Sequence, residues 1–494
     1  MVDQLTVADV ARATRGALSP GAAAATPLSG VSIDSRTLEP GQLFVAIVGP
    51  RFDGHEFVAQ AAAKGAAAAL VHRAPPPPVG IPLVTVADTT AGLGALAADV
   101  RAHAQVPVVA ITGSAGKTTT KEMTAWLLGA RGEVLKTEGN LNNQYGLPLT
   151  LLRLRPRHTA AVLELGMSAA GELRALAGLA RPDVAVITMV APVHLEFFAS
   201  VDAIADAKAE ILEGLPADGV AVLNGDDPRL RHLGLAHRGR VRWFGKDRAF
   251  DVSAENWRGT VNGMRFEMRI GRQTLDVALP LAGPHFMMNF LAAAAAAHHL
   301  GIPAETIAER ALSLRPASRR GEVVRLGGGI TLLDDSYNSN PVAVEAAVAA
   351  LTLAAKGRRV AFLGDMLELG PSGPDLHAQT GAAVAGKLDL MVAAGGLARH
   401  FLEGASRAGK EPSALAAFSD SAAAAEAAPS LVRPGDAVLV KGSRGARMEK
   451  VVEALRARFG DEDGGSGAEP RSGASPRGSK AGTHSRPEPP DEGG

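Results

Sequence analysis

Residues 106–112, VPVVAIT, form an apolar run that passes directly into GSAGKTTT and then into the helical stretch KEMTAWLLGA. Two more apolar runs, AAVLELG and VAVITMV, follow at intervals long enough for a crossover helix between them. Strands this apolar are buried on both faces, and strand–helix–strand repetition gives a parallel sheet with right-handed crossovers. Such a sheet gathers its chemistry at the carboxyl ends of its strands.

The turn after the first run is built for phosphate. Gly113, Ser114, Ala115, Gly116, Lys117, Thr118 and Thr119 supply backbone N–H groups, a helix N-terminus and an ammonium in one short segment. In a nucleoside triphosphate site Lys117 reaches the β- and γ-phosphates and Thr118 reaches Mg²⁺. The spacing departs from the common G-x-x-x-x-G-K-[ST] pattern, because Ile111 stands where the first glycine falls. The alternative is an ordinary strand-to-helix turn with two glycines and a lysine.

At 494 residues the chain exceeds one compact core, and about 150 residues per domain gives three domains. Residues 1–105 alternate short strands, LFVAIVG and PLVTVAD, with Ala-rich helices near 56–66 and 90–104, a small α/β unit. The APPPPVG run at 74–80 reads as a stiff surface loop. Residues 106–320 form the parallel-sheet unit, to which VRWFGK, MRFEMRI and TLDVALP are expected to add antiparallel strands before a helix at 285–300. Residues 321–460 form a third α/β unit with strands ITLLDDS, RRVAFLGD, LMVAAG and DAVLVKG. Residues 461–494 hold no Val, Ile, Leu, Met, Phe, Trp or Tyr, and a tail without apolar groups to bury is expected to be disordered.

Lys plus Arg and Asp plus Glu both number 51, which gives no electrostatic footprint for nucleic acid. With no cysteine, disulfides, thiolate metal sites and a cysteine nucleophile are excluded. The N-terminus, MVDQLTVADVARATRG, does not read as a signal peptide, and no run of 18 apolar residues occurs. A cytoplasmic chain without a membrane span is expected.

Three further residues stand at telling places. Glu164 ends the strand beside the loop strand, where its carboxylate suits Mg²⁺ or a solvated strand end equally. His194, in APVHLEFF, follows the next strand at the same sheet edge. Lys208, between Asp206 and Glu210 in IADAKAEIL, reads from composition as a surface ion-pair residue.

Taken together, these segments resemble the Mur ligases of peptidoglycan synthesis, with matches spread over residues 30–450. TGSAGKTTTKEM resembles the family's ATP loop, LELGM its Mg²⁺-binding acid, APVHLEFF its metal-site histidine and AKAEI its carbamylated lysine. The resemblance thus gives Glu164, His194 and Lys208 catalytic, metal-binding roles, with Lys117 catalytic and Thr118 on the metal. A carbamate formed from CO₂ turns a repelled ammonium into an anionic oxygen ligand for a hard cation.

In GPHFMMNFLAA, Asn289 matches an adenine-contacting asparagine, while Phe286 stands where another asparagine is usual. Arg320, rather than Arg319, matches the arginine that reaches the nucleotide, and Asp335 joins the ATP site. DDSYNSNP, GDMLELG and KGSRGARMEKVV resemble the branch of the family that adds D-alanyl-D-alanine, and imply substrate contacts for Asn338, Lys441 and Arg444. VSIDSRTLEPGQLFVAIVGPRFDGHEF resembles the family's uridine-nucleotide domain, with Ser35 and Arg36 near the uridine diphosphate. GNLNNQYGLPLTLL adds Asn142 and Asn143, though Gln144 and Tyr145 replace the family's usual acid and Ile.

The resemblance implies three domains: a small N-terminal α/β uridine-nucleotide-binding domain, a central P-loop parallel-sheet ATPase domain and a C-terminal Rossmann-like α/β domain. It implies ATP, two Mg²⁺ ions and a lysine carbamate, with UDP-N-acetylmuramoyl-tripeptide and D-alanyl-D-alanine as substrates of a monomer. The carboxylate would first form an acyl phosphate, which the amine then attacks as the third domain closes. Competing readings are another ligase of the superfamily, such as a folylpolyglutamate synthetase, and a P-loop switch that hydrolyses ATP without forming an amide.

Overall fold

The computed structural model describes residues 5–50, 52–73, 79–193, 195–260 and 262–462. Most of the Pro run, His194 and the tail from 463 onward lie outside the described residues. Asp461 and Glu462 still pair with the fold, through a bridge to Leu326 and a Glu462 carboxylate that accepts from the Gly329 N–H at 2.9 Å.

Among the described residues, three large sheets organise the chain into a mixed α/β architecture. The central one has nine strands, in the order Glu133–Lys136, His158–Glu164, Val108–Thr112, Val184–Ile187, Val220–Asn224, Arg240–Gly245, Val252–Thr260, Gly263–Ile270 and Gln273–Leu279. The first seven run parallel and the last two return antiparallel. One expectation is corrected here. The VRWFGK segment pairs parallel with Val220–Asn224, because the helix Pro228–Ala236 provides a full crossover before it. Only the hairpin-linked MRFEMRI and TLDVALP segments are antiparallel.

Register sets the site. Ile111 pairs with Glu164 on one side and Val186 on the other, so the strands around the loop end at one edge. Every residue of Val108–Thr112 and of Val184–Ile187 is buried. On one face lies the helix Pro284–His299, whose run Ala292 to Ala297 is buried throughout. Small side chains there let the helix axis approach the sheet closely, and the helix N-terminus comes to lie beside the phosphate loop.

The N-terminal sheet runs Ala17–Leu18, Leu83–Thr85, Ala68–Val71, Gln42–Val45, Gly30–Ser32. The LFVAIVG run divides: Gln42–Val45 joins this sheet, and Val48–Gly49 turns into a small hairpin with Phe52–Asp53. The helix Thr89–His103 carries the chain onward and shares one apolar cluster with the central sheet, from Val7 to Leu230. Arg101 fastens that junction. Its buried guanidinium donates to the carbonyls of Ala180, Arg181 and Ala104 at 2.8, 2.8 and 3.0 Å.

The C-terminal sheet runs Glu322–Leu326, Ile330–Asp335, Ala437–Lys441, Arg359–Gly364, Leu390–Ala394, Leu415–Phe418, parallel except for its first strand. Asp335 and Lys441 are register partners at the ends of neighbouring strands. Among the described residues no helix is long and apolar enough to cross a membrane.

Candidate active site

The phosphate loop is held open by two glycines that nothing else can replace. Gly113 sits at φ 148°, where a Cβ would fall 1.9 Å from the Thr188 hydroxyl. Gly116 sits at φ 82°, and a Cβ there would lie 2.3 Å from the Asn289 amide oxygen. Side chains are thus excluded on steric grounds as well as conformational ones. Ser114 ties the loop to the next strand's exit: its N–H donates to the Met189 carbonyl at 2.9 Å, and its hydroxyl donates to the Ala191 carbonyl at 3.1 Å. Thr188 donates to the Ala115 carbonyl at 2.5 Å.

Lys117 opens the helix Lys117–Leu128 and folds back, its ammonium donating to the Gly113 carbonyl at 2.6 Å. Burial holds its pKa below the ordinary lysine value, with Glu164 acting in the opposite direction and Arg320 adding to the depression. Thr118 donates its hydroxyl to Glu164 Oε2 at 2.6 Å, and Asn142 donates to Glu164 Oε1 at 3.0 Å. Glu164 is 4 % exposed. Two hydroxyl and carboxylate oxygens therefore meet beside the ammonium, a donor set that suits a hard cation.

Lys208 is not the surface residue its composition implies. It is 1 % exposed in the helix Val201–Ala209, and burial, followed by the nearby Lys117 charge, drives its pKa well below normal. Its neighbour Glu210 is engaged elsewhere, accepting from the Gly171 N–H at 2.7 Å. That direction favours the neutral, nucleophilic amine. Among the described residues, which do not include His194, no group of three or more His, Asp and Glu side chains is arranged to hold a metal.

The loop from Ser114 to Thr119 and Glu164 open into one cavity of about 1130 Å³, and Lys208 is not among its lining residues. Ser114, Ala115, Gly116, Lys117, Thr118, Thr119, Glu164, Asn142, Asn143 and Asn289 line it from the central unit, and Arg320, Asp335, Asn338, Lys441 and Arg444 from the C-terminal side. Arg319 turns instead to Glu449 at 3.4 Å. Lys441 is buried and donates to Asp335 at 2.5 Å and to the Asn338 carbonyl at 2.9 Å. Ser35 and Arg36 are not brought here. The buried Ser35 hydroxyl donates to Gln60 at 2.9 Å, and the exposed Arg36 pairs with Asp34 at 2.7 Å, holding that carboxyl at about 2.

Several lining residues escape sequence reasoning. Asn224 ends the strand Val220–Asn224 and Asp226 follows it, where the carboxyl-end rule for parallel strands points. His285 lines the cavity with its Nδ1 unpartnered, and burial lowers its pKa to about 4. Glu368 enters from the C-terminal unit at φ 64°. Tyr337, inside the DDSYNSNP segment, is stacked by two arginines. No local pattern marks the last three.

A glycine-cradled phosphate loop at the carboxyl edge of a parallel sheet, facing a second α/β unit across a cleft, defines a multidomain P-loop nucleotide-binding protein. Three family models match the chain: "Mur ligase family, catalytic domain" over residues 27–101, "Mur ligase middle domain" over 111–297, and "Mur ligase, glutamate ligase domain" over 319–444. The chain belongs to the Mur ligase family, and is thereby an ATP-dependent ligase of peptidoglycan synthesis.

It is 40% identical to the UDP-N-acetylmuramoyl-tripeptide--D-alanyl-D-alanine ligase of Escherichia coli over 87% of this chain and 94% of that protein. The ligase of the same description from Bacillus subtilis is 36% identical over 91% and 98%. A crystal structure of MurF from Acinetobacter baumannii superimposes with a TM-score of 0.85 at 35% identity, covering 92% of this chain and 99% of that one. MurF ligase from Thermotoga maritima in complex with ADP gives 0.76 at 29% identity, covering 87% and 97%.

Proposed function

We propose that this chain joins D-alanyl-D-alanine to UDP-N-acetylmuramoyl-tripeptide in the cytoplasm, with ATP converted to ADP and phosphate, acting as a monomer of three units at 1–105, 106–320 and 321–460. One observation carries the reading. A single cavity is lined both by the phosphate loop and by Asn338, Lys441 and Arg444, which supports a phosphoryl donor and a second substrate held in one space.

The tripeptide's terminal carboxylate attacks the γ-phosphate in line, and the acyl phosphate formed is then attacked by the dipeptide's amine, which releases phosphate. Phosphoryl transfer of this kind depends on positioning and charge neutralisation. Lys117 neutralises phosphate charge from the helix N-terminus, and the Gly113, Ser114, Ala115, Gly116 and Thr119 backbone cradles the phosphates. Asn289 and Arg320 hold the nucleotide, with Asp335 beside it. Ser35 and Arg36 hold the uridine diphosphate end, and Asn142 and Asn143 the muramyl peptide.

Two Mg²⁺ ions would be held by Thr118, Glu164, His194 and Lys208 as a carbamate, where they supply positive charge to the phosphate oxygens. The Thr118 and Glu164 oxygens, already 2.6 Å apart, fit such an ion. Lys208 fits carbamylation because its burial favours the neutral amine that captures CO₂. Enclosure by the C-terminal unit keeps water from the acyl phosphate.

The test is product formation across a panel of UDP-muramyl peptides with D-alanyl-D-alanine and ATP, read by mass spectrometry. The reading predicts a pentapeptide product from the tripeptide and none from shorter stems. Product from a monopeptide or dipeptide stem would assign the chain to another ligation step.

A further inference from the structure

The ring of Tyr337 is shared by two guanidinium groups from distant parts of the chain. Arg320 lies 4.1 Å from the ring centroid and Arg444 lies 5.5 Å from it. Both distances fall within the range of cation–π attraction. Arg320 belongs to the junction between the central and C-terminal units, and Arg444 to the turn after the strand Ala437–Lys441. A second group repeats the pattern: the Glu449 carboxylate lies 3.4 Å from Arg319 and 3.9 Å from Arg444. The Tyr337 N–H donates to the Arg319 carbonyl at 3.2 Å, and Arg319 itself sits at φ 60°. The junction, the DDSYNSNP segment and the 444 turn are thus tied into one knot.

The two guanidiniums face different anions. Arg320 lines the same cavity as Lys117 and the rest of the phosphate loop, where the nucleotide's phosphates are read to lie. Arg444 keeps most of its side chain in the open, 62% exposed, with its acid at the long distance of 3.9 Å. Lys441, the neighbouring cation, is already spent on Asp335 and the Asn338 carbonyl. The dipeptide's only anionic group is its carboxylate, and Arg444 is the cation on that wall with donors to spare.

We infer that Tyr337 is a positioning residue that sets Arg320 for the nucleotide and Arg444 for the carboxylate of the dipeptide together, so that one ring governs the handling of both ligands. The inference rests on the ligase reading above. It assigns the effect to the aromatic face, since a ring flanked by two guanidiniums orients both through its π-system and its flat surface.

The experiment is steady-state kinetics of the full chain with Tyr337→Phe, Tyr337→Leu and Tyr337→Met, with thermal melts to confirm folding. Leu and Met are expected to raise the KM for ATP and the KM for D-alanyl-D-alanine together, each about five- to tenfold, the size of a partly exposed cation–π contribution. Phe, which keeps the ring, is expected to return both to within about twofold. A rise in one KM alone, no rise in either, or a Phe variant as impaired as Leu overturns the inference. The Met variant answers the question should Leu not fold. Wild-type phosphate release that ignores D-alanyl-D-alanine would instead defeat the ligase reading itself, and is seen before any variant is made.

Discussion

The hydroxyl of Thr118 lies 2.6 Å from Glu164 Oε2, joining the first turn of the helix after the phosphate loop to the last residue of the neighbouring strand. The contact exists because Ile111 and Glu164 are register partners in a parallel pair, which brings the helix start and the acid to one sheet edge. These oxygens and the Lys117 ammonium line the same cavity.

Lys117→Ala is expected to lower phosphate release by at least about 10³-fold, the order found when a preorganised charge on a transferring group is removed. The fold should survive, because the side chain's hydrogen bond among the described residues is to its own loop at Gly113. Activity within tenfold of wild type, with a melt unchanged, would remove Lys117 from the chemistry.

Lys208→Ala is expected to be inactive and to regain part of its rate when short-chain carboxylates are added, since these supply the anionic oxygens a carbamate would provide. The measurement is turnover against carboxylate concentration. A variant that is fully active without additive, or inactive at every concentration, contradicts the carbamate.

His285 gives a pH signature. Its folded pKa of about 4 lies below the unfolded histidine value of 6.5, chiefly through burial, so the unfolded chain binds the extra proton first. Stability contributed by this group is full above pH 6.5 and is lost as pH falls toward 4. Comparing denaturant unfolding of wild type and His285→Gln, the wild type should lose about 3 kcal/mol more between pH 7 and 4. Parallel pH profiles would show that the imidazole is not held neutral.

Lys441→Met should destabilise the C-terminal unit by about 3 kcal/mol, because it strands the Asp335 carboxylate that Lys441 now pairs at 2.5 Å. Lys441→Met with Asp335→Asn should cost less than the two single changes summed. Additive losses in urea unfolding would mean that the pair is not coupled.

Much of this was legible in the chain because it is written locally. The phosphate loop needs only a strand, two glycines, a lysine and a helix in succession, and the burial pattern and capping of Lys117–Leu128 follow that order. VRWFGK misled because alternation marks a strand with one wet face, which a strand within a parallel sheet can also show; its burial runs exposed and half-buried before two buried residues. Lys208 could be read only through resemblance, since nothing in the neighbouring Asp206 and Glu210 signals that the helix turns the lysine inward. His285 and Tyr337 depend on contacts between segments far apart in sequence, so no window of residues contains them. Their roles emerge only when the C-terminal unit is set against the central one.

The most direct test of the central claim is the rate of ADP formation from ATP and UDP-N-acetylmuramoyl-tripeptide, measured with and without D-alanyl-D-alanine. A ligase that proceeds through an acyl phosphate should turn over continuously only with the dipeptide present, each ADP matched by one pentapeptide. Equal ADP formation in both conditions, with no amide made, would contradict the account.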